Sequence, residues 1–143
     1  MLMKKYGSAK WQGGIKDGQG SISAESGVLK DAPYGFKARF EGGPGTNPEE
    51  LIGAAHAGCF SMALSLILGE AKMVAESIAT KATVTLDKDG AGFTITAVHL
   101  DVTVRVPGAD KAAVEQCLQG AKAGCPVSKL LKAEITMDAK VET

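Results

Sequence analysis

The chain has 143 residues, one domain at the usual ~100–200 residues per domain, and a chain of this size can bury about two-thirds of its unfolded surface, so a core needs no disulfide scaffold. Hydrophobic residues make up 45% and charged residues 22%, close to globular averages, which excludes disorder as the main state. Sixteen Lys and Arg balance sixteen Asp and Glu, so no bulk field draws in nucleic acid or an anionic membrane.

Residues 1–45 read as β-structure. Asp17-Gly18 is a hairpin signal between a segment containing Trp11 and Ser21-Ile22-Ser23. After Pro33-Tyr34-Gly35, the residues Phe36, Ala38 and Phe40 alternate with Lys37, Arg39 and Glu41, which predicts a half-buried strand. The strongest helix signal follows. Asn47 suits the N-cap, Pro48 the first helical position and Glu50 the capping-box place, while Glu49 and Glu50 complement the positive helix end. The helix is expected to reach Lys72. Its stretch 51–68 is apolar or small on every side, which predicts burial all round. Gly53-Ala54-Ala55-His56-Ala57-Gly58 allows another backbone to approach closely. By length the stretch is at the lower edge for a membrane span, but its Gly, Ser, His56 and Cys59 fit a buried soluble helix better.

Two strands come next. Ala82, Val84 and Leu86 alternate with polar residues, Asp89-Gly90 marks a turn, and the return strand covers 93–106. Its apolar phase slips at Ala97/Val98, which predicts a β-bulge. A second helix is expected from the Asp110 cap to near Gly124 and a short third one from Pro126 to Leu131. Clean alternation from Ala133 to Val141 predicts the last strand. This order is α+β with antiparallel pairing. A sheet covers only one side of the long helix, so a second copy of that helix in a two-fold homodimer is the simplest cover for the other.

The cysteines are Cys59, Cys117 and Cys125. An odd count without a CxxC pair speaks against a secreted disulfide framework, and the first residues lack the apolar run of a signal peptide, so a cytoplasmic setting is expected. Cys59 lies mid-helix among small residues, where a cysteine ordinarily packs. Cys125 sits at a predicted helix start, where backbone N–H groups and the dipole favour a thiolate. Cys117 has no such context and is expected to be structural. Cys59 and Cys125 suggest a redox pair, one thiolate taking a peroxide oxygen and the other condensing with the sulfenic acid. Arg39 is a candidate positive neighbour and Glu49 a residue to hold it, although a solvated arginine and a dipole-complementing acid explain both equally well. Glu49 and Cys59 stand ten residues apart on one helix, about 15 Å. If all four groups share a site, Arg39 and Glu49 are expected from the partner subunit. His56 precedes Cys59 by one helical turn and could act as a base, or as a metal ligand with Cys59 and Cys125. A stress protein that binds a small ligand in an apolar cleft is a further alternative. No Walker A, GxSxG, HExxH or GxGxxG pattern is present.

Three stretches carry a family resemblance. TNPEELIGAAHAGCFSMALS, residues 46–65, resembles the first cysteine motif of the OsmC/Ohr family, KAGCPVSKLLKAEIT, residues 122–136, the second, and YGFKARFEG, residues 34–42, the arginine-bearing segment. The likeness extends over essentially the whole chain. It implies a homodimeric α+β fold with sheets wrapped around two central helices, and a thiol-dependent peroxidase acting on organic hydroperoxides. By position it assigns Cys59 as the peroxidatic cysteine, Cys125 as the resolving one, and Arg39 with Glu49 as the pair that polarises thiolate and peroxide. This reverses the dipole argument, which alone makes Cys125 the more reactive thiol. The family's reductant is a dithiol, often lipoyl-linked, and no metal, haem or flavin cofactor is implied.

Overall fold

The computed structural model describes residues 1–143, which form two compact units, Met1–Leu51 and Ile52–Thr143. In the first unit, β1 (Gly7–Gln12), β2 (Gln19–Ala24) and β3 (Ala32–Tyr34) form an antiparallel sheet in that order. The expected first hairpin is present, with Asp17-Gly18 closing a longer connection in which the Gly18 N–H donates to the Gly14 carbonyl at 2.8 Å. Trp11 and Tyr34 pack against each other across this sheet, tilted by 59° with ring centroids 5.6 Å apart.

The segment expected as a strand after Gly35 is instead a short helix, α1 (Phe36–Phe40). Gly35 is its extended N-cap, and the Arg39 N–H donates to the Gly35 carbonyl at 3.1 Å. Phe36 and Phe40 meet at 5.0 Å between centroids. Residues four apart share a side in both a helix and a strand, so the spacing of the two phenylalanines suits either. The Asn47 cap is realised. Its Oδ1 accepts from the Glu50 N–H at 2.7 Å, and its Nδ2 donates to the Ala38 carbonyl at 3.0 Å, tying the end of α1 to the start of α2 (Pro48–Glu70). The capping box is not closed, because the Glu50 carboxylate accepts from the Thr46 hydroxyl at 2.7 Å.

The second unit holds most of α2, then β4 (Ser77–Asp89), β5 (Gly92–Arg105), α3 (Lys111–Gly124), α4 (Pro126–Leu130) and β6 (Glu134–Glu142), with strand order β4-β5-β6. The hairpin turns at Gly90, whose φ of 62° suits glycine. Thr85 pairs with Ala97 and Leu86 with Ile95, so Thr96 is the extra bulged residue, one position from the expected slip. β5 and β6 pair in parallel, contrary to the antiparallel pairing expected. The reason is the connection. α3 and α4 carry the chain back along the sheet, and a crossover of this length permits a parallel neighbour.

The core packs Phe60, Leu64 and Leu68 of α2 and Val114, Leu118 and Ala121 of α3 against Val98, Leu100, Val102 and Val104 of β5. Burying each such side chain contributes about 1.5–3 kcal/mol. Gly53 is what lets α2 approach β4, since a Cβ there would stand 2.9 Å from the Ala82 carbonyl oxygen. The opposite side of α2 is bare in the single chain. Ala54, Ala55 and Gly58 are exposed, and Met62 and Leu66 are 77% and 64% exposed. Within one chain the helix therefore buries a stripe, not its whole circumference. By length and apolarity alone α2 could cross a membrane, but Phe60, Leu64 and Leu68 occupy the core.

Candidate active site

Cys59 and Cys125 come together in the second unit. Cys59 lies half-buried on α2, and Cys125 is fully buried as the N-cap of α4. The Cys59 and Cys125 thiols lie close enough that each shifts the titration of the other. Two free thiols this close can become a disulfide with only small movement. Cys117 is a third free thiol, packed in the core on α3.

The two sulfurs differ in their electrostatics. Burial pushes the Cys59 thiol up, its bond to Cys125 and the charge there push it further, and the Val127 backbone N–H opposes this incompletely. Burial also pushes Cys125 up, but it is outweighed. The Cys59 thiol, the Ser128 backbone N–H and hydroxyl, and the Val127 N–H all favour its charged form and hold it below the ordinary cysteine range. Pro126 begins α4 and contributes no N–H, so Val127 and Ser128 carry the nearest free amides, and neither closes a cap hydrogen bond to the Cys125 side chain. Within this unit, then, Cys125 is the more readily ionised of the two thiols, the order that a helix start favours.

His56 is buried one turn before Cys59. Its Nε2 lies 2.7 Å from the Ser128 Oγ, loss of hydration holds its pKa below the ordinary histidine range, and its Nδ1 has no protein partner. Ser128 is a site residue that the sequence reading missed. The available signal was its place three residues after an N-cap cysteine, where a side chain faces the cap. His56, Cys59 and Cys125 do not form a metal-ligand set. The one group of three His, Cys, Asp or Glu side chains with ligand atoms within 4.8 Å of one another is His99, Asp101 and Asp138. These lie on the outer face of the β4-β5-β6 sheet, where His99 Nε2 pairs with both carboxylates at 3.3 and 3.2 Å. A cleft of about 560 Å³ beside them, walled by Lys81, Asp101, Asp138 and Lys140, contains no cysteine.

Arg39 and Glu49 come together in the first unit. Arg39 Nη2 donates to Glu49 Oε1 at 2.7 Å, and Nε donates to both carboxylate oxygens at 3.1 and 3.2 Å. The Glu49 side chain is largely buried and the Arg39 side chain partly exposed, so the carboxylate fixes a guanidinium that keeps an open side. The guanidinium also lies 5.3 Å from the centre of the Phe40 ring. Next to it is a cleft of about 270 Å³ lined by Trp11, Ile15, Tyr34, Phe36, Phe40 and Arg39. Each half of the expected site is thus assembled, one pair in each unit.

A sequence profile of the OsmC-like protein family matches residues 41–140, well over half of the chain. The chain belongs to the OsmC-like family. Among members of this family, it is 59% identical over its full length to the full length of Peroxiredoxin OsmC of Escherichia coli K12. It is 30% identical to the Organic hydroperoxide resistance protein OhrB of Bacillus subtilis, with 86% of this chain and 88% of that one covered. The crystal structure of an OsmC-like protein from Mycoplasma pneumoniae superposes over all of both chains with a TM-score of 0.78 at 11% identity, a likeness of fold. The α+β class expected from the element order is therefore that of the OsmC-like proteins.

Proposed function

We propose that this OsmC-like protein is a thiol-dependent peroxidase that reduces organic hydroperoxides to alcohols, with Cys59 as nucleophile and Cys125 as resolving thiol. The observation that carries the reading is the closeness of the two free thiols, each of which shifts the titration of the other. It is supported by the 59% identity to a protein named a peroxiredoxin and by the relative named for organic hydroperoxide resistance.

Cys59 thiolate attacks the distal oxygen of ROOH. The O–O bond breaks, RO⁻ leaves and takes up a proton to become ROH, and Cys59 becomes a sulfenic acid. Cys125 then attacks the Cys59 sulfur, giving a disulfide and water. A small dithiol, lipoyl-linked in our reading, resets the pair by exchange. No step calls on a metal, haem or flavin. The arrangement requires a positive group to draw the shared charge from Cys125 onto Cys59. Arg39, oriented by Glu49, supplies it and stabilises the charge developing on the alkoxide. The two copies of a homodimer join through the bare face of α2, and Arg39 with Glu49 reaches the cysteines of the other copy, the two units of each chain working as one functional domain in the cytoplasm. The aromatic cleft beside Arg39 suits an organic R group.

The test is consumption of tert-butyl hydroperoxide by purified protein with dithiothreitol. Wild type is expected to turn over and Cys59→Ser to lose turnover while keeping its fold. Equal or absent turnover in the two would overturn the mechanism.

A further inference from the structure

We propose that Ser128 and His56 form a buried relay that holds Cys125 ready to close the disulfide, with the Ser128 hydroxyl acting on the Cys125 sulfur and His56 positioning that hydroxyl. The inference rests on the disulfide-closing step proposed above. Neither residue is needed to explain the fold. A buried histidine is better replaced by an apolar side chain unless its polar atoms are used.

The proton count fixes the direction of the relay. In the relay the one hydrogen of the Ser128 hydroxyl goes to the Cys125 sulfur, whose charged form that hydroxyl favours. The 2.7 Å contact between Ser128 Oγ and His56 Nε2 is then a bond donated by Nε2–H. A neutral ring with hydrogen on Nε2 has a bare Nδ1. Nδ1 is the one buried side-chain polar atom in the chain without a partner, and loss of hydration keeps the ring neutral. The chain of bonds therefore runs from His56 through Ser128 to Cys125, with no imidazolium required. The groups facing Cys125 are few. α2 contributes the Cys59 thiol, α4 contributes Val127 and Ser128, and His56 of α2 meets Ser128. α3 places Cys117 in the same core, while β5 and β6 direct Val98, Leu100, Ile135 and Met137 into it. No lysine, arginine or carboxylate contributes to the Cys125 shift.

In the reaction, the Cys125 sulfur lone pair forms the S–S bond and the S–O bond of the Cys59 sulfenic acid breaks. Hydroxide leaves with that electron pair and takes up the proton that Cys125 released, giving water. The net change is thiol plus sulfenic acid to disulfide plus water, with no further oxidant. Through Ser128 the relay raises the fraction of Cys125 present as thiolate, which sets the closing rate at neutral pH.

The experiment measures two quantities in wild type, Ser128→Ala, His56→Leu and His56→Gln. The first is the rate of disulfide closure after one equivalent of tert-butyl hydroperoxide, followed from about pH 5 to 9 by dimedone trapping of sulfenic acid and mass spectrometry. The second is the thiolate absorbance titration of the reduced proteins in a Cys59→Ser, Cys117→Ala background, which reports Cys125 alone and needs no turnover. Ser128→Ala and His56→Leu are expected to slow closure about tenfold near neutrality, accumulate trappable Cys59 sulfenic acid, and move both the closure midpoint and the thiolate titration up by about one pH unit. His56→Gln, whose amide N–H can still hold Ser128, stays near wild type. Midpoints that do not move in Ser128→Ala overturn the relay, whether closure keeps its rate or slows by one factor at every pH, the mark of a merely structural role. If wild type forms no sulfenic acid, the peroxidase reading fails. An unmoved thiolate titration then overturns the relay separately.

Discussion

Burial of a neutral His56 makes stability depend on pH in a way that one substitution isolates. Its side chain is fully buried and loss of hydration lowers its pKa. In the unfolded chain the imidazole titrates near 6.5. The folded chain keeps it neutral to lower pH, so below 6.5 the unfolded state binds more protons. Stability from this group is fully present above that pH and is lost as pH falls through it. If the folded state takes up no proton, the loss between about pH 7 and 5 has an upper limit of about 2 kcal/mol. The assay is urea unfolding of wild type and His56→Leu at one protein concentration and both pH values. Wild type is expected to lose more than the variant over the interval, by up to about 2 kcal/mol. His99 and the carboxylates are common to both proteins and lie on other surfaces, so their contributions cancel in the difference. A difference below about 0.5 kcal/mol would refute the reasoning, because the folded state would then accept the proton as readily as the unfolded one.

Asn47→Ala removes both the cap on α2 and the tie to α1, and is expected to lower stability by about 1–2 kcal/mol and the thermal midpoint by about 3–6 °C. Asn47→Asp, which keeps the cap acceptor, should recover most of it, and equal losses would show that the cap contributes little. Leu66→Glu places a charge on the bare face of α2 and is expected to turn dimers into monomers by sedimentation velocity. A dimer of undiminished stability would move the interface elsewhere. Mixed dimers of Arg39→Ala and Cys59→Ser chains are expected to regain up to about half of the wild-type turnover per active dimer, because one of the two sites becomes intact. No recovery above the two parent proteins would place Arg39 beside the cysteines of its own chain.

Much of the fold was legible because it is written in local patterns. Asn47-Pro48 and the acids after it specify where α2 starts whatever surrounds it. The alternation of β6 and the phase slip of β5 report a buried face directly, since side chains on a strand alternate. The apolar circumference of 51–68 likewise announced that one chain would leave a face of α2 uncovered. Five residues were too few to separate a strand from α1, because Phe36 and Phe40 share a side in either. The parallel pairing of β6 was not legible at all. Orientation depends on where α3 and α4 return the chain, and that is decided by packing of α3 on β6. The candidate site divides in the same way. Cysteine, arginine and glutamate in recognisable motifs marked Cys59, Cys125, Arg39 and Glu49 as residue types able to do this chemistry. Tertiary structure alone decided that Cys59 meets Cys125, that the Val127 amide acts on both sulfurs while that of Ser128 acts on Cys125, and that Ser128 meets His56. Those relations join residues of α2 to the far end of the chain, and distance along a sequence carries no information about distance in space once a crossover intervenes.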